Sequence, residues 1–565
     1  MVRRVVERIR GSVSQRTHVP SHTRRTGLVA GLLLGLCLCL PFSAWSVGGD
    51  ISWQYDNVAL NKQEAKAMAV DSQGNLVIVG YSAGAGNDYL VVKLKADGSG
   101  PLWTASYDST GGGDVATAVV IDSNDDVIVT GYAWDGATYN DIYTVKYAAA
   151  DGAVLWQHTF DGAGSGNDYA TAITVDSINN VYVGGYMQDS NGKDSFIVLK
   201  YGPLNGPNPD GTPLWQASYD GGVNGHDRIT AITAGVDGIA VTGQSQNATP
   251  DFDCFTIKYN FSGSEIWQRR YSDSGDGKGL ALAMDAAGNV IMAGYVSNGS
   301  DRDFYVIEYA ADDSPAKWVK IYDSGYDDEA ADLWLDAAGD VYVVGTHASL
   351  MTGQDIYFAR FDGGSGVEVW NGSYNSSNGD NDHGLFIVGD DNGELFIAGY
   401  NNDSASGFDD FLTLKLTRAA GTLLWAREYD GAGKNDRSVG AGLAPDGNLL
   451  IGGWSDRWTA GSSDYDFYAL KYESGALNQP TALTATAVTN TQIDLSWVDN
   501  STTEENFVVE RKIGALGSYA VVATLAADSV SYSDSGLTAD TRYYYRVMAY
   551  NAATGNSPYS DEANA

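Results

Sequence analysis

Eight tryptophans recur along this chain at intervals of 50 to 59 residues: Trp53, Trp103, Trp156, Trp215, Trp267, Trp318, Trp370 and Trp425. Each sits in a short phrase such as Leu214-Trp215-Gln216-Ala217-Ser218-Tyr219-Asp220. The residue before the Trp is usually apolar, and a Tyr or Phe follows four residues later. The first copy is shorter, with Tyr55 two residues after Trp53. A fixed period of this length is the signature of a propeller or a solenoid, in which each repeat buries its apolar face only against its neighbours.

One repeat reads as four short strands. In residues 169–220, Tyr169 to Val175 alternates small or apolar with polar residues, and Asp176 to Asn180 is a turn. Val181 to Tyr186, Phe196 to Tyr201 and Leu214 to Tyr219 complete the set. Four strands with turn chemistry between them make one antiparallel blade. Third strands begin at Asp88, Asp141, Asp194, Asp253, Asp303, Asp355, Asp410 and Asp466, and a Lys, Arg or Glu follows five residues on. The third copy has Lys200 six residues after Asp194, which predicts a one-residue bulge there.

The array opens with a lone fourth strand, Ile51 to Tyr55, and closes with first, second and third strands only, near Tyr472. Joining the two ends predicts an all-β, eight-bladed β-propeller over residues 47–477, with a seven-bladed ring as the second choice because it strands one repeat. Closure protects edges that would otherwise template aggregation.

The phrases Ala-x-Ala-x-x-x-Asp, Gly-Asn-x-x-x-x-Gly-Tyr, Asp-Phe-x-x-x-Lys-Tyr and Leu-Trp resemble the repeats of secreted bacterial β-propeller proteins across residues 51–473. A looser resemblance, to eight-bladed quinoprotein dehydrogenases, rests on a Trp in each outer strand after an Asp-Gly turn, as at Asp97-Gly98 before Trp103. The cofactor ligands and adjacent cysteine pair of that family have no counterpart here. The period stops near Asn478. Trp497, Phe507-Val508-Val509-Glu510-Arg511 and Tyr543-Tyr544-Tyr545-Arg546-Val547 then resemble a fibronectin type III β-sandwich over residues 478–565. The resemblance makes Trp497 its core Trp and Tyr543 its tyrosine corner.

Residues 1–46 read as a secretory signal peptide: an Arg-rich start, the apolar run Gly27 to Leu40, then small residues. The run is short for a membrane span, so no span is expected once the leader is removed. Localisation is therefore expected to be secreted or cell-surface. Only Cys254 remains beyond the leader, which excludes an internal disulfide, and its apolar neighbours predict burial. The net charge is −37; the leader carries seven Arg and one Glu, leaving −43 on the rest. Such a chain repels nucleic acid.

Symmetry separates scaffold from site. A residue type present in every blade is read as structural: the Trp packs between blades, and the third-strand Asp and Lys bond the loop and screen the sheet surface. The fourth-to-first and second-to-third connections share one face, which is acidic and Gly-rich. Asp161, Asp168, Asp220, Asp227, Asp323 and Asp327 are candidate Ca2+ ligands there, since hard cations take several loop oxygens. Tight turns call for the same residue types. Trp134, Tyr139, Tyr326 and Trp458 break the symmetry, and aromatics beside carboxylates suit a sugar. Loop self-packing is the competing reading of them. His347 and His383 fall on the same face but in different blades. No catalytic residue is assigned, since no metal-ligand spacing, nucleophile elbow or phosphate loop occurs. The expectation is a binding or adhesion protein for a glycan or protein partner, through the acidic face. The alternative is polysaccharide cleavage or a quinoprotein-like oxidation. Oligomeric state is left open.

Overall fold

The computed structural model describes residues 51–565, except for 58–60, 85, 110–111, 135, 137–138, 163, 165, 205, 207, 223–224, 247–250, 272–274, 350–352, 377–380, 391–392, 404–406, 432–433, 457–464, 474–476, 478, 502–503, 516, 552–554 and 558. The expected leader lies outside the described residues.

Every regular element among the described residues is a strand. The repeats form eight four-stranded antiparallel sheets, each from four consecutive strands except the last. The third is typical: Asp168–Val175, Val181–Gln188, Asp194–Tyr201 and Trp215–Tyr219. The eighth takes Asp436–Leu443, Leu449–Asp456 and Tyr465–Tyr472, and its outer strand is Ile51–Asp56 from the other end of the array. The architecture is thus all-β and propeller-like. The apolar cores lie between consecutive sheets. One of them joins Leu76, Ile78 and Leu90 of the first sheet to Phe467 and Ala469 of the eighth.

The tryptophans stitch each sheet to the next. The indole of Trp103 donates to the Ala149 carbonyl at 3.1 Å, Trp215 to Phe261 at 3.1 Å and Trp318 to Gly363 at 3.2 Å. Each acceptor lies in the third-to-fourth turn of the following sheet. Trp53 does the same from the eighth sheet to Ala96 of the first, at 2.9 Å. The Asp-Gly turn follows from this contact: Gly98 has φ +69°, and a Cβ there would press into the ring of Trp53.

The third-strand lysines do not screen the sheet surface. Lys93, Lys146, Lys258 and Lys415 are buried. Lys93 pairs with Asp71 at 2.8 Å, Lys146 with Asp122 at 2.6 Å and Lys258 with Asp237 at 2.8 Å, all in first-to-second turns of their own sheets. A buried ammonium without such a partner would cost several kcal/mol, roughly 3–5, so the turn carboxylate is what allows the cation inside.

The bulge expected at Asp194 is absent. Gln188 faces Asp194 and Tyr182 faces Lys200 in an unbroken register. In the second sheet Ala133 faces Asp141 and Ile128 faces Lys146. Ser195, facing Met187, therefore holds the position of Asp141, and Asp194 stands one residue earlier. Bulges occur instead in all eight first strands, at Lys66, Thr117, Thr171, Thr230, Leu280, Ala331, Leu385 and Val439. Several of these residues line a cavity of ≈ 500 Å3 to which first strands of six sheets contribute. The hydroxyls of Thr117 and Thr171 donate to the carbonyls of Ala170 and Ile229 on the next sheet, at 2.7 and 2.8 Å.

The C-terminal sandwich packs Thr481–Thr489, Gln492–Val498 and Ser531–Ser535 against Ala520–Ala526, Asn506–Ile513 and Tyr543–Asn551. Trp497 is buried in its core with Leu495, Phe507 and Tyr545. The Tyr543 hydroxyl accepts the Thr538 backbone N–H at 3.1 Å, as a tyrosine corner does.

Candidate functional site

A bulge turns the residue before it, so that side chains two positions ahead of the bulged residue gather at one end of the first strands. That position reads Glu64, Val115, Tyr169, Arg228, Lys278, Glu329, His383 and Arg437 in the eight sheets. It faces Tyr81, Tyr132, Tyr186, Gln244, Tyr295, Thr346, Tyr400 and Trp454 on the second strands. The backbone repeats here while the side chains do not. This is also the end at which fourth-to-first and second-to-third connections meet, as the strand order dictates.

The side chains form a collar of several contacting groups. Lys62 lies over the Tyr465 ring at 4.3 Å and pairs with Glu64 at 3.2 Å, and Glu64 accepts the Tyr81 hydroxyl at 2.6 Å. Tyr132, Tyr169 and Tyr186 follow, with ring centroids 4.7 and 5.2 Å apart. Arg228 covers the Tyr186 ring at 4.8 Å and pairs with Asp194 at 2.5 Å; His226 reaches the same carboxylate at 2.9 Å. Arg302 covers Tyr295 at 4.7 Å and pairs with Glu329 at 3.1 Å. Between these two arginines stands Lys278, half-buried, whose ammonium has no hydrogen bond or ion pair among the described residues. Burial pushes it below the ordinary lysine range; Arg228 and Arg302 add to the fall, and Glu329 opposes it. Farther round, His383 stacks on Tyr400 at 4.5 Å, and Arg437 lies over the same ring at 4.5 Å while pairing with Asp409. Burial lowers the His383 pKa, so the imidazole is neutral near pH 7.

Of the residues singled out from sequence, His383 belongs to this collar. Trp134 lies against Gly112 of its own sheet's incoming connection, and its backbone N–H donates to Asp114 at 2.9 Å. Tyr139 is half-buried and Tyr326 is exposed. His347 sits beside Asp355 at 3.8 Å, edge-on to Tyr322, so His226, His347 and His383 have three separate partners. Trp458 lies outside the described residues. Arg228, Lys278, Arg302, Arg437 and Glu64 escaped sequence reasoning. For all but Arg302, which opens a third strand, the signal lay two residues before the bulged position of each repeat, where the copies differ in chemical type.

The acidic positions divide by sheet. Asp161 and Asp168 meet Asp141, with one carboxylate oxygen of each within 4.8 Å of the others. Asp323 forms a set with Asp301 and Asp303, whereas Asp410, Asp430 and Asp436 repeat the arrangement of Asp141, Asp161 and Asp168 between the seventh and eighth sheets. Among the described residues Asp220 and Asp227 complete no set, because Ser195 replaces the third-strand Asp and Asp194 turns to Arg228. Asp327 instead accepts the Arg302 backbone N–H at 3.1 Å. The first-strand aspartates are buried loop anchors. Asp168 accepts the N–H groups of Gly162 and Gln188, at 2.5 and 3.1 Å, and Asp227 that of Gly221 at 2.7 Å. Burial pushes Asp168, Asp382 and Asp436 up to about 6.

Residues 478–565 match the family described as Fibronectin type III domain. Among solved structures, the chain is similar to titin kinase with its flanking domains, at 21% identity and TM-score 0.14, covering 16% of this chain and 16% of that one. It is similar to the quinohemoprotein alcohol dehydrogenase from Comamonas testosteroni at 11% identity and TM-score 0.43, over 75% of this chain and 76% of that one. It is likewise similar to BamB from Moraxella catarrhalis at 12% identity and TM-score 0.34, over 75% and 97%. No curated protein matches the chain.

Proposed function

We propose that this chain is a secreted or cell-surface binding protein whose eight sheets close as an eight-bladed propeller, and that the collar face takes a glycan or protein partner. Closure is supported by the eighth sheet drawing its outer strand from Ile51–Asp56, by the core shared between first and eighth sheets, and by the indole of Trp53 reaching Ala96. The observation that carries the functional reading is the collar itself. Clustered tyrosines beside charged side chains at one end of a propeller-like array give apolar faces for sugar rings and polar groups for their hydroxyls. Ca2+ held at the set of Asp410, Asp430 and Asp436 belongs to the same proposal. Asp436 is fully buried, and its Oδ1 has no hydrogen-bond partner among the described residues.

A panel of oligosaccharides presented to the purified chain tests the reading. Saturable binding that falls at least about tenfold in Tyr169→Ala, with no product released, is the expected result. Binding unchanged in that variant removes the collar. Shortened glycan, or dye reduced in the presence of a quinone, would replace the reading with polysaccharide cleavage or a quinoprotein-like oxidation.

A further inference from the structure

The collar is not uniform. From Tyr81 to Tyr186 it is aromatic, and from Arg228 to Arg302 it is cationic. The cationic arc stands out on a chain of net charge −37. Elsewhere the buried lysines each have a hydrogen-bond or ion-pair partner: Lys93 has Asp71, Lys146 has Asp122, Lys258 has Asp237, and Lys200 has the Phe261 carbonyl. Lys278 departs from that rule. Arg228 is held by Asp194 and Arg302 by Glu329, yet no hydrogen bond or ion pair among the described residues reaches the half-buried ammonium between them, and the one carboxylate that acts on it, Glu329, is already engaged by Arg302. Two neighbouring cations raise its electrostatic energy, and partial burial removes the water that would screen it. One anion placed between Lys278 and the two guanidiniums would relieve all three at once.

The rest of the molecule narrows what that anion is attached to. A polyanion such as nucleic acid meets the field of a strongly acidic protein, so dense charge is repelled before it reaches the collar. A short saccharide with a few carboxylates carries far less charge and meets far less repulsion. The rings beside the cations, Tyr186 and Tyr295, already carry Arg228 and Arg302 on one face. Tyr132 and Tyr169, packed edge to face, continue the aromatic surface away from Lys278. A chain of sugar rings lying along the tyrosines with one carboxylate at Lys278 satisfies both arcs.

We propose that the collar binds saccharides bearing a uronic-acid carboxylate, with Lys278 as the residue that recognises the charge. This rests on the collar being the binding site and adds the class of ligand.

Calorimetry on the full chain at low ionic strength tests it with trigalacturonate, its methyl ester and free galacturonate. The expected result is that trigalacturonate binds, that the ester binds at least about tenfold more weakly, and that added salt erodes the difference. Lys278→Gln should weaken trigalacturonate to the level of the ester while leaving the ester unchanged, and Lys278→Arg should retain most of the preference. Free galacturonate binding as tightly as the trimer would overturn the saccharide assignment in favour of a small-carboxylate site. Acid and ester binding equally, both weakened by Tyr169→Ala, would overturn the inference and leave the collar reading standing. Acid binding that is indifferent to both Lys278→Gln and Tyr169→Ala would sink the two together.

Discussion

A methyl group on Gly185 would overlap the backbone carbonyl of Tyr169, and one on Gly243 or Gly345 would overlap the carbonyl of Arg228 or Glu329. The cause is the first-strand bulge, which pushes that carbonyl toward the neighbouring second strand. The glycine of each Gly-Tyr phrase is thus the partner of a bulge rather than a turn residue. Its φ is not in the left-handed region, so the demand is for space alone. Gly185→Ala should destabilise the chain by about 1–3 kcal/mol, the range for overpacking a site that cannot relax. Gly192→Ala, at φ +78° with open space around it, should cost only about 1 kcal/mol of backbone strain. Denaturant midpoints of the two variants check the contrast, and equal losses would mean that the bulge yields.

At the scale of strands and turns, the repeated carboxylates make stability depend on pH. Burial raises Asp168, Asp382 and Asp436 from the ordinary 3.8 to about 6. Each binds its proton more tightly folded than unfolded. The stabilisation is complete below pH 4 and is lost as pH rises through about 6. Wild type should therefore lose more thermal stability between pH 4.5 and 7.5 than Asp436→Asn does. A divalent cation at Asp410, Asp430 and Asp436 would restore part of that loss at pH 7.5 and none at pH 4.5, where protons compete. Melting curves at both pH values, with calcium and with chelator, read the effect directly; a chelator-insensitive melt at pH 7.5 removes the cation. These elements also show where sequence reading reaches its limit. The Trp period located every sheet to within a residue or two, because a side chain needed once per repeat leaves a regular mark. Trp497 and Tyr543 marked the sandwich for a similar reason: each fills a role few residue types can fill. The bulges left no such mark, since Ala65-Lys66-Ala67 reads as plain alternation until Gly80 is seen opposite it. Ser195 was hidden because Asp194 beside it supplied the expected letter one position early. The collar was hidden because Arg228, Lys278 and Arg302 meet only once neighbouring sheets are packed.

For the whole molecule, the decisive segment is the six residues Ile51–Asp56. They complete the eighth sheet by pairing with Tyr465–Tyr472, with Gln54 opposite Leu470 and Tyr55 opposite Ala469. Trp53 and Tyr55 pack on the core that the eighth sheet shares with the first, and the Trp53 indole bonds to Ala96. One strand therefore ties together parts of the chain more than 400 residues apart in sequence. The entropy of closing so long a loop grows only logarithmically with its length, so a few good contacts are enough to hold it. Removing the strand would leave Tyr465–Tyr472 as an open edge with unpaired N–H and C=O groups, a template for pairing with a second chain. It would also strip the cover from Phe467 and Ala469. A chain lacking residues 51–56 should melt well below the intact protein, unfold over a broader range, and form dimers or larger species as concentration rises. Trp53→Phe should keep the strand, lose only the indole bond, and cost about 0.5–1.5 kcal/mol with no change in oligomeric state. Sedimentation together with melting curves separates the two. A truncated chain that stays monomeric with an unchanged melt would show that the eighth sheet holds without its outer strand.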